Sequence, residues 1–188
     1  MSGFRWQSVE RGGRLSGMMT LYQELLPSPV GTITILTDGD GVLRVLEFED
    51  FSARMERLLR LHYGSGGWRV EPATRTSEAM RAMTAYFAGD VAAIDGLPSA
   101  TGGTAFQRSV WAVLRDVGAG QTVAYVDIAA AIGRPSAVRA VGLANGSNPI
   151  AIVVPCHRII GRSGALTGYG GGLERKRWLL AHEGVVLV

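Results

Sequence analysis

The chain has 188 residues, 47% hydrophobic, with 26 glycines, 7 prolines and a net charge of +3. That length supports one large domain or two small ones with real cores, and apolar residues occur only in short runs, so no membrane span is expected. A single cysteine excludes an internal disulfide and any multi-cysteine zinc site, and it fits a reducing cytoplasm.

Met1 to Gly17 is polar, Gly-rich and Arg-containing and lacks the apolar middle of a secretory signal. We read residues 1–18 as a disordered extension. Leu21 to Leu26, Thr32 to Thr37 and Val42 to Phe48 are rich in Ile, Val, Thr and Leu and read as strands. Ser28-Pro29 and Asp38-Gly39-Asp40-Gly41 supply turns between them, which predicts a β-meander. Phe51 to His62 carries Met55, Leu58, Leu59 and Leu61 at helical spacing, and glycines from Gly64 onward end it. A second helix runs from Ser77 to Phe87 and is closed by Gly89; Asp95 to Gly103 reads as a linker. Thr104 caps a helix from Ala105 to Val117. Tyr125 to Ile132 is a short helix stopped by Gly133, and Pro135 and Ser136 open another through Ala144. Leu173 to His182 is the last.

Charge is unevenly divided. From residue 101 onward nine Arg or Lys face four acids, a balance of +5, which leaves −2 for the first hundred residues. A basic half beside a slightly acidic one is the footprint of a domain that touches phosphate, and an ordinary solvated surface gives the same count.

The two short helices joined by Gly133-Arg134-Pro135 have the outline of a helix-turn-helix, or of a plain helical hairpin. A reader of base sequence needs several long polar side chains at the start of its second helix. Here Ala137, Val138, Ala140, Val141, Gly142, Leu143 and Ala144 surround Arg139, the one residue long enough to reach a base. Small residues let such a helix lie close to a groove while Arg139 enters the base stack. That arrangement suits extrusion of a base rather than recognition of a sequence.

Cys156 lies between the strand-like run Ile150 to Val154 and the basic pair His157-Arg158. Neighbouring cationic charge lowers a thiol pKa, and His157 is placed to take its proton directly or through a water. A lone cysteine beside an apolar run is also what a buried structural residue looks like. Pro155, which lacks a backbone donor, favours a turn or exposed elbow there. Glu183, at the C-terminal end of the last helix, is disfavoured by the helix dipole unless a cation faces it; His157 and the arginines are both candidates. Gly168-Tyr169-Gly170-Gly171-Gly172 can offer backbone N–H groups to a ligand, but lacks the pattern of a phosphate loop.

Pro155-Cys156-His157-Arg158, with Asn148-Pro149 and the Arg139-Ala140-Val141-Gly142 helix before it and Gly168-Tyr169 and Leu179 to Gly184 after it, closely resembles the O6-alkylguanine-DNA alkyltransferases. The resemblance covers residues 19 to 188. It implies an RNase H-like α/β domain over residues 19–98, with a small antiparallel sheet of three strands. A mainly α-helical domain with a helix-turn-helix follows over residues 104–188. It implies a suicidal, single-turnover reaction that moves an alkyl group from O6-alkylguanine, and from O4-alkylthymine, to Cys156.

Under that resemblance His157 is the base, acting through a water, Glu183 orients it, and Asn148 ties the recognition helix to the active-site segment. Tyr125 helps rotate the nucleotide out, Arg139 fills the vacated place, and Ser136 and Ala137 lie at the DNA contact. Tyr169 forms the pocket wall, the Gly170 N–H faces the guanine O6, and the Ile159 carbonyl faces the exocyclic amine. The partner implied is double-stranded DNA bound through its minor groove by a monomer, with cooperative assembly on DNA left open. No cofactor, metal or membrane is implied. Ala151 stands where some members carry a second proline, which leaves adduct size undecided. Three other readings share these residues: a non-catalytic lesion binder, which lacks the acceptor cysteine; a cysteine hydrolase; and a helix-turn-helix regulator.

Overall fold

The computed structural model describes residues 18–186, so the extension expected over residues 1–17 lies outside the described residues. Met18, the last residue of the expected extension, is exposed. Strands β1 (Met19–Leu26), β2 (Ile33–Thr37) and β3 (Leu43–Phe48) form the expected meander, antiparallel throughout. Its second turn is set by Asp38, whose Oδ1 accepts the N–H groups of Asp40 and Val42. Gly41 (φ 79°) supplies there the left-handed conformation that other residues enter at a cost.

The expected three-stranded antiparallel sheet is corrected by a fourth strand. After α1 (Ser52–Tyr63), β4 (Trp68–Pro72) pairs parallel to β1, giving a mixed sheet in the order β3-β2-β1-β4. β4 is an edge strand, half exposed, with Arg69 and Glu71 on it and a proline at its end. Those features blunt an edge and also hide the strand from a search for alternating apolar residues.

Helix α2 (Glu78–Phe87) is capped by Ser77, whose hydroxyl accepts the Met80 N–H. The segment read as a linker is packed. Leu97 is buried, and Leu43 at the outer edge of β3 exchanges backbone hydrogen bonds with Pro98 and Ala100. Helix α3 (Ala105–Arg115) opens with a reciprocal capping box between Thr104 and Gln107, which satisfies two donors otherwise left over at a helix start. It buries Val110, Trp111 and Leu114, and Trp111 Nε1 donates to the Ala144 carbonyl of α5 (Val138–Gly146). Helix α4 (Tyr125–Ala131) packs beside α5; a short parallel pair joins β5 (Val123–Ala124) to β6 (Ile159–Ile160); α6 (Leu173–His182) closes the order.

The two halves share a core: buried residues from β2, β3 and α2 form one cluster with residues from α3 to α6. Chain 149–151 continues the sheet across that boundary. Leu46 N–H donates to the Pro149 carbonyl and Ala151 N–H donates to the Leu46 carbonyl, at 3.0 and 2.9 Å. The segment before Cys156 is thereby fixed to the edge of β3. Among the described residues no helix is long and apolar enough to cross a membrane.

Candidate active site

Asn148 follows α5 and is 1% exposed. Its Oδ1 accepts the Ile150 N–H, while Nδ2 donates to the Val154 carbonyl at 2.8 Å and lies 3.2 Å from Cys156 Sγ. One side chain therefore braces the whole loop between α5 and the cysteine. The loop needs bracing. Ile152 sits at φ 67°, a left-handed conformation that a β-branched residue rarely enters and that costs about 1–3 kcal/mol.

Cys156 begins a one-turn 3₁₀ helix, Cys156–Arg158, with Pro155 as its cap. The expected turn is present, but it is not exposed: Cys156 is 6% and His157 0% accessible. The expected low thiol pKa is corrected with it. Burial pushes the Cys156 thiol up, and the Asn148 hydrogen bond only partly opposes this. Arg158, two residues along the chain, does not serve the sulfur. Arg158 donates from Nε and Nη2 to the two oxygens of Glu183, both at 2.8 Å, and from Nη1 to the Val117 carbonyl.

Glu183 is the C-cap residue of α6 and is where the cations converge. Arg158 and His157 both reach it, so the two candidate partners are partners together. Burial alone would raise its pKa, but the hydrogen bonds from His157 and Arg158 outweigh burial and hold the carboxyl at about 2. An ionised carboxylate only accepts, so the proton in the 2.9 Å contact with Glu183 Oε1 belongs to His157 Nε2. Burial lowers the imidazole pKa, leaving a neutral ring. Its Nδ1 is then a lone-pair acceptor, buried and without a partner among the described residues. Neutral thiol and neutral imidazole form the resting state, and a thiolate forms only when the sulfur gives up its proton.

Cys156 lies on a cavity lined also by Glu47, Arg54, Asn145, Asn148, Ala151, Tyr169, Gly170 and Gly171. Its free volume is about 10 Å³, room for at most one water. Tyr169 Oη and Asn145 Oδ1 are buried there and have no partner among the described residues. Gly171 is obligatory, because a Cβ would lie 2.3 Å from the Phe48 ring. Arg54 of α1 closes one side, its guanidinium against Gly170. It pairs with buried Glu47 and donates to the carbonyls of Gly146 and Asn148 at 2.8 and 3.2 Å.

The Ile159 carbonyl accepts from the Nζ of buried Lys176, which also donates to the Thr167 carbonyl; burial pulls that ammonium down to about 8. Tyr125 opens α4, and its hydroxyl accepts from Thr167 at 3.3 Å. Helix α5 starts at Val138 rather than at Pro135, with Ala137 half-buried at its cap and Ser136 exposed before it. Arg139 is exposed in its first turn, and Leu143, one turn on, is 78% exposed. The structure thus brings Cys156, His157, Glu183, Asn148, Tyr169 and Gly170 together, with Arg139 and Ser136 on an outer face. Glu47, Arg54, Tyr86 and Lys176 were not anticipated as site residues.

Comparison with known proteins defines the class. A model of the 6-O-methylguanine DNA methyltransferase DNA-binding domain matches residues 105–185. The methylated-DNA–protein-cysteine methyltransferase of Salmonella typhimurium is 50% identical over 91% of this chain and all of its own. That of Mycolicibacterium paratuberculosis is 47% identical over 83% of this chain and 88% of its own. Crystal structures of the Mycobacterium tuberculosis O6-methylguanine methyltransferase and of Mycobacterium tuberculosis OGT in complex with DNA superpose with TM-scores of 0.69 and 0.71. Both are 41% identical over 87% of this chain and 92% of theirs. The chain belongs to the methylated-DNA–protein-cysteine methyltransferase family.

Proposed function

We propose that this protein repairs alkylated DNA by moving the alkyl group from guanine O6 to Cys156, once per molecule. The observation that carries this reading is the placement of the chain's only cysteine on a small cavity, with Asn148 on its sulfur and His157, hydrogen-bonded to Glu183, next to it in the chain. Family membership names a protein cysteine as acceptor, and only one residue can fill that role.

In this reading the Cys156 proton passes to His157 Nδ1 through a water, and Glu183 stabilises the imidazolium through Nε2. The sulfur attacks the alkyl carbon in line, forming C–S as the C–O bond breaks. The electron pair stays on guanine O6, and the proton held by His157 is returned to the base. The products are an S-alkylcysteine and an unmodified guanine. No group of the protein cleaves a thioether, so the molecule is spent.

The base reaches the sulfur by flipping, since a stacked guanine does not enter a cavity. Tyr125 assists its rotation and Arg139 takes its place in the stack. Tyr169 and the N–H of Gly170 receive it, and the free lone pair of the Ile159 carbonyl accepts its amine. Helices α4 and α5 act as a helix-turn-helix, with Ser136, Ala137 and the small residues of α5 against the minor groove. Residues 19–98 form an RNase H-like domain and 104–188 the DNA-binding domain. The protein works as a cytoplasmic monomer, and O4-alkylthymine is a second substrate.

Intact-mass measurement after mixing with duplex DNA containing O6-methylguanine tests the reading. One methyl per molecule is expected on Cys156, and none on a Cys156→Ala variant. Tight binding with unchanged mass would overturn transfer in favour of lesion recognition.

A further inference from the structure

We propose that Tyr86, on α2 of the N-terminal half, is a positioning residue for the transfer reaction, holding Glu183 so that the carboxylate keeps the Nε2 proton of His157 and leaves Nδ1 free. This rests on the function proposed above and extends its machinery beyond residues 105–185, which contain Cys156, His157, Arg158 and Glu183 but not Tyr86.

Tyr86 is 0% exposed, and its hydroxyl donates to Glu183 Oε1 at 2.8 Å. The contact crosses 97 positions of sequence and joins the two halves. A second bond fixes the same pair of elements, because His182 Nε2 donates to the Tyr86 carbonyl at 2.7 Å. The rings of Tyr86 and His182 meet edge to face at 5.0 Å, and Trp178 stacks on His182 at 4.8 Å. Consecutive residues 182 and 183 are therefore both tied to Tyr86. This is more than packing requires, and it aims the hydroxyl.

Glu183 Oε1 receives Tyr86 Oη, His157 Nε2 and Arg158 Nη2, while Oε2 receives Arg158 Nε. Tyr86 and His157 thus share one oxygen. A buried phenol beside a carboxylate does not ionise, so this donor is permanent. By drawing charge from Oε1, the hydroxyl moderates the pull of the carboxylate on the imidazole proton. Without it that pull strengthens and the ring becomes more basic. The other groups facing His157 are Arg158 beside it, Lys176 on α6, the neighbouring Cys156 thiol and the edge of Tyr169 at 6.4 Å. None is altered by changing Tyr86 to Phe.

The test is the pH profile of single-turnover methyl transfer from duplex O6-methylguanine. Transfer needs neutral His157, so the acid limb reports its basicity. In Tyr86→Phe that limb is expected to move up by roughly half to one pH unit, about three- to tenfold slower at a fixed pH on it, with an unchanged DNA dissociation constant. Replacing Tyr86 by 3-fluorotyrosine, a stronger donor of nearly the same shape, is expected to move the limb down. It also serves should the Phe variant fail to fold. Acid limbs that superpose on the parent's overturn the assignment, even if the variants melt earlier. If the parent accepts no methyl group at all, the proposed function fails first, and Tyr86 has no reaction to position.

Discussion

Asn148 Nδ2 touches Cys156 Sγ at 3.2 Å while its Oδ1 holds the Ile150 N–H, so the residue that braces the loop also senses the sulfur. A methyl on that sulfur must fit into about 10 Å³ of free space. Extra methylene volume in a packed site costs typically 1–3 kcal/mol. The loop it presses on already carries the left-handed Ile152. The S-methyl protein should therefore melt about 2–10 °C below the free thiol form. Differential scanning fluorimetry before and after reaction with methylated duplex measures the difference, and equal melting would show that Asn148 does not transmit the change.

Glu47 and Arg54 form a buried pair within the N-terminal half, from which Arg54 reaches across to the carbonyls of Gly146 and Asn148. Glu47 is 1% exposed, and burial raises its pKa against the opposing pull of Arg54. Removing the guanidinium alone strands a buried carboxylate, which costs about 3–5 kcal/mol, whereas replacing both charges with neutral groups of similar size costs far less. Arg54→Met should be the least stable variant, and adding Glu47→Gln to it should recover most of the loss. Urea unfolding of the parent, both single variants and the double variant closes the cycle. Additive losses would mean that the pair is not coupled.

Contacts that cross from one half to the other mark where sequence reading stops. Local signals placed the helices within a few residues: Thr104 announces the start of α3, and Ser77 that of α2. Local chemistry pointed to Cys156, His157 and Glu183 and the family resemblance to Asn148, and the fold gathers these four around one cavity and one carboxylate. Strand β4 was missed because it pairs with β1 across the whole of α1 and its side chains lack clean alternation. Arg54 and Tyr86 meet their partners across 92 and 97 positions, and nothing in the residues beside them indicates that meeting. The direction of the Cys156 shift was misjudged for a related reason. Arg158 looks available to the sulfur in one dimension, but the fold assigns it to Glu183.

That assignment makes the protein sensitive to acid in a definite window. Glu183 has its pKa lowered from 4.5 to about 2 in the folded chain. A carboxylate with a depressed folded pKa contributes stability above its unfolded pKa and loses it as pH falls toward the folded one. The contribution is thus full at neutral pH, begins to fall near pH 5, and is gone by about pH 2, with a size on the order of 3 kcal/mol. Glu183→Gln has no such group to titrate. It should be less stable than the parent at pH 7, because Arg158 and His157 then face a neutral amide, and its stability should change less between about pH 5 and 2. Chemical denaturation of both proteins across that range reads the difference directly. Parallel curves would mean that the carboxylate titrates in the fold as it does in the unfolded chain.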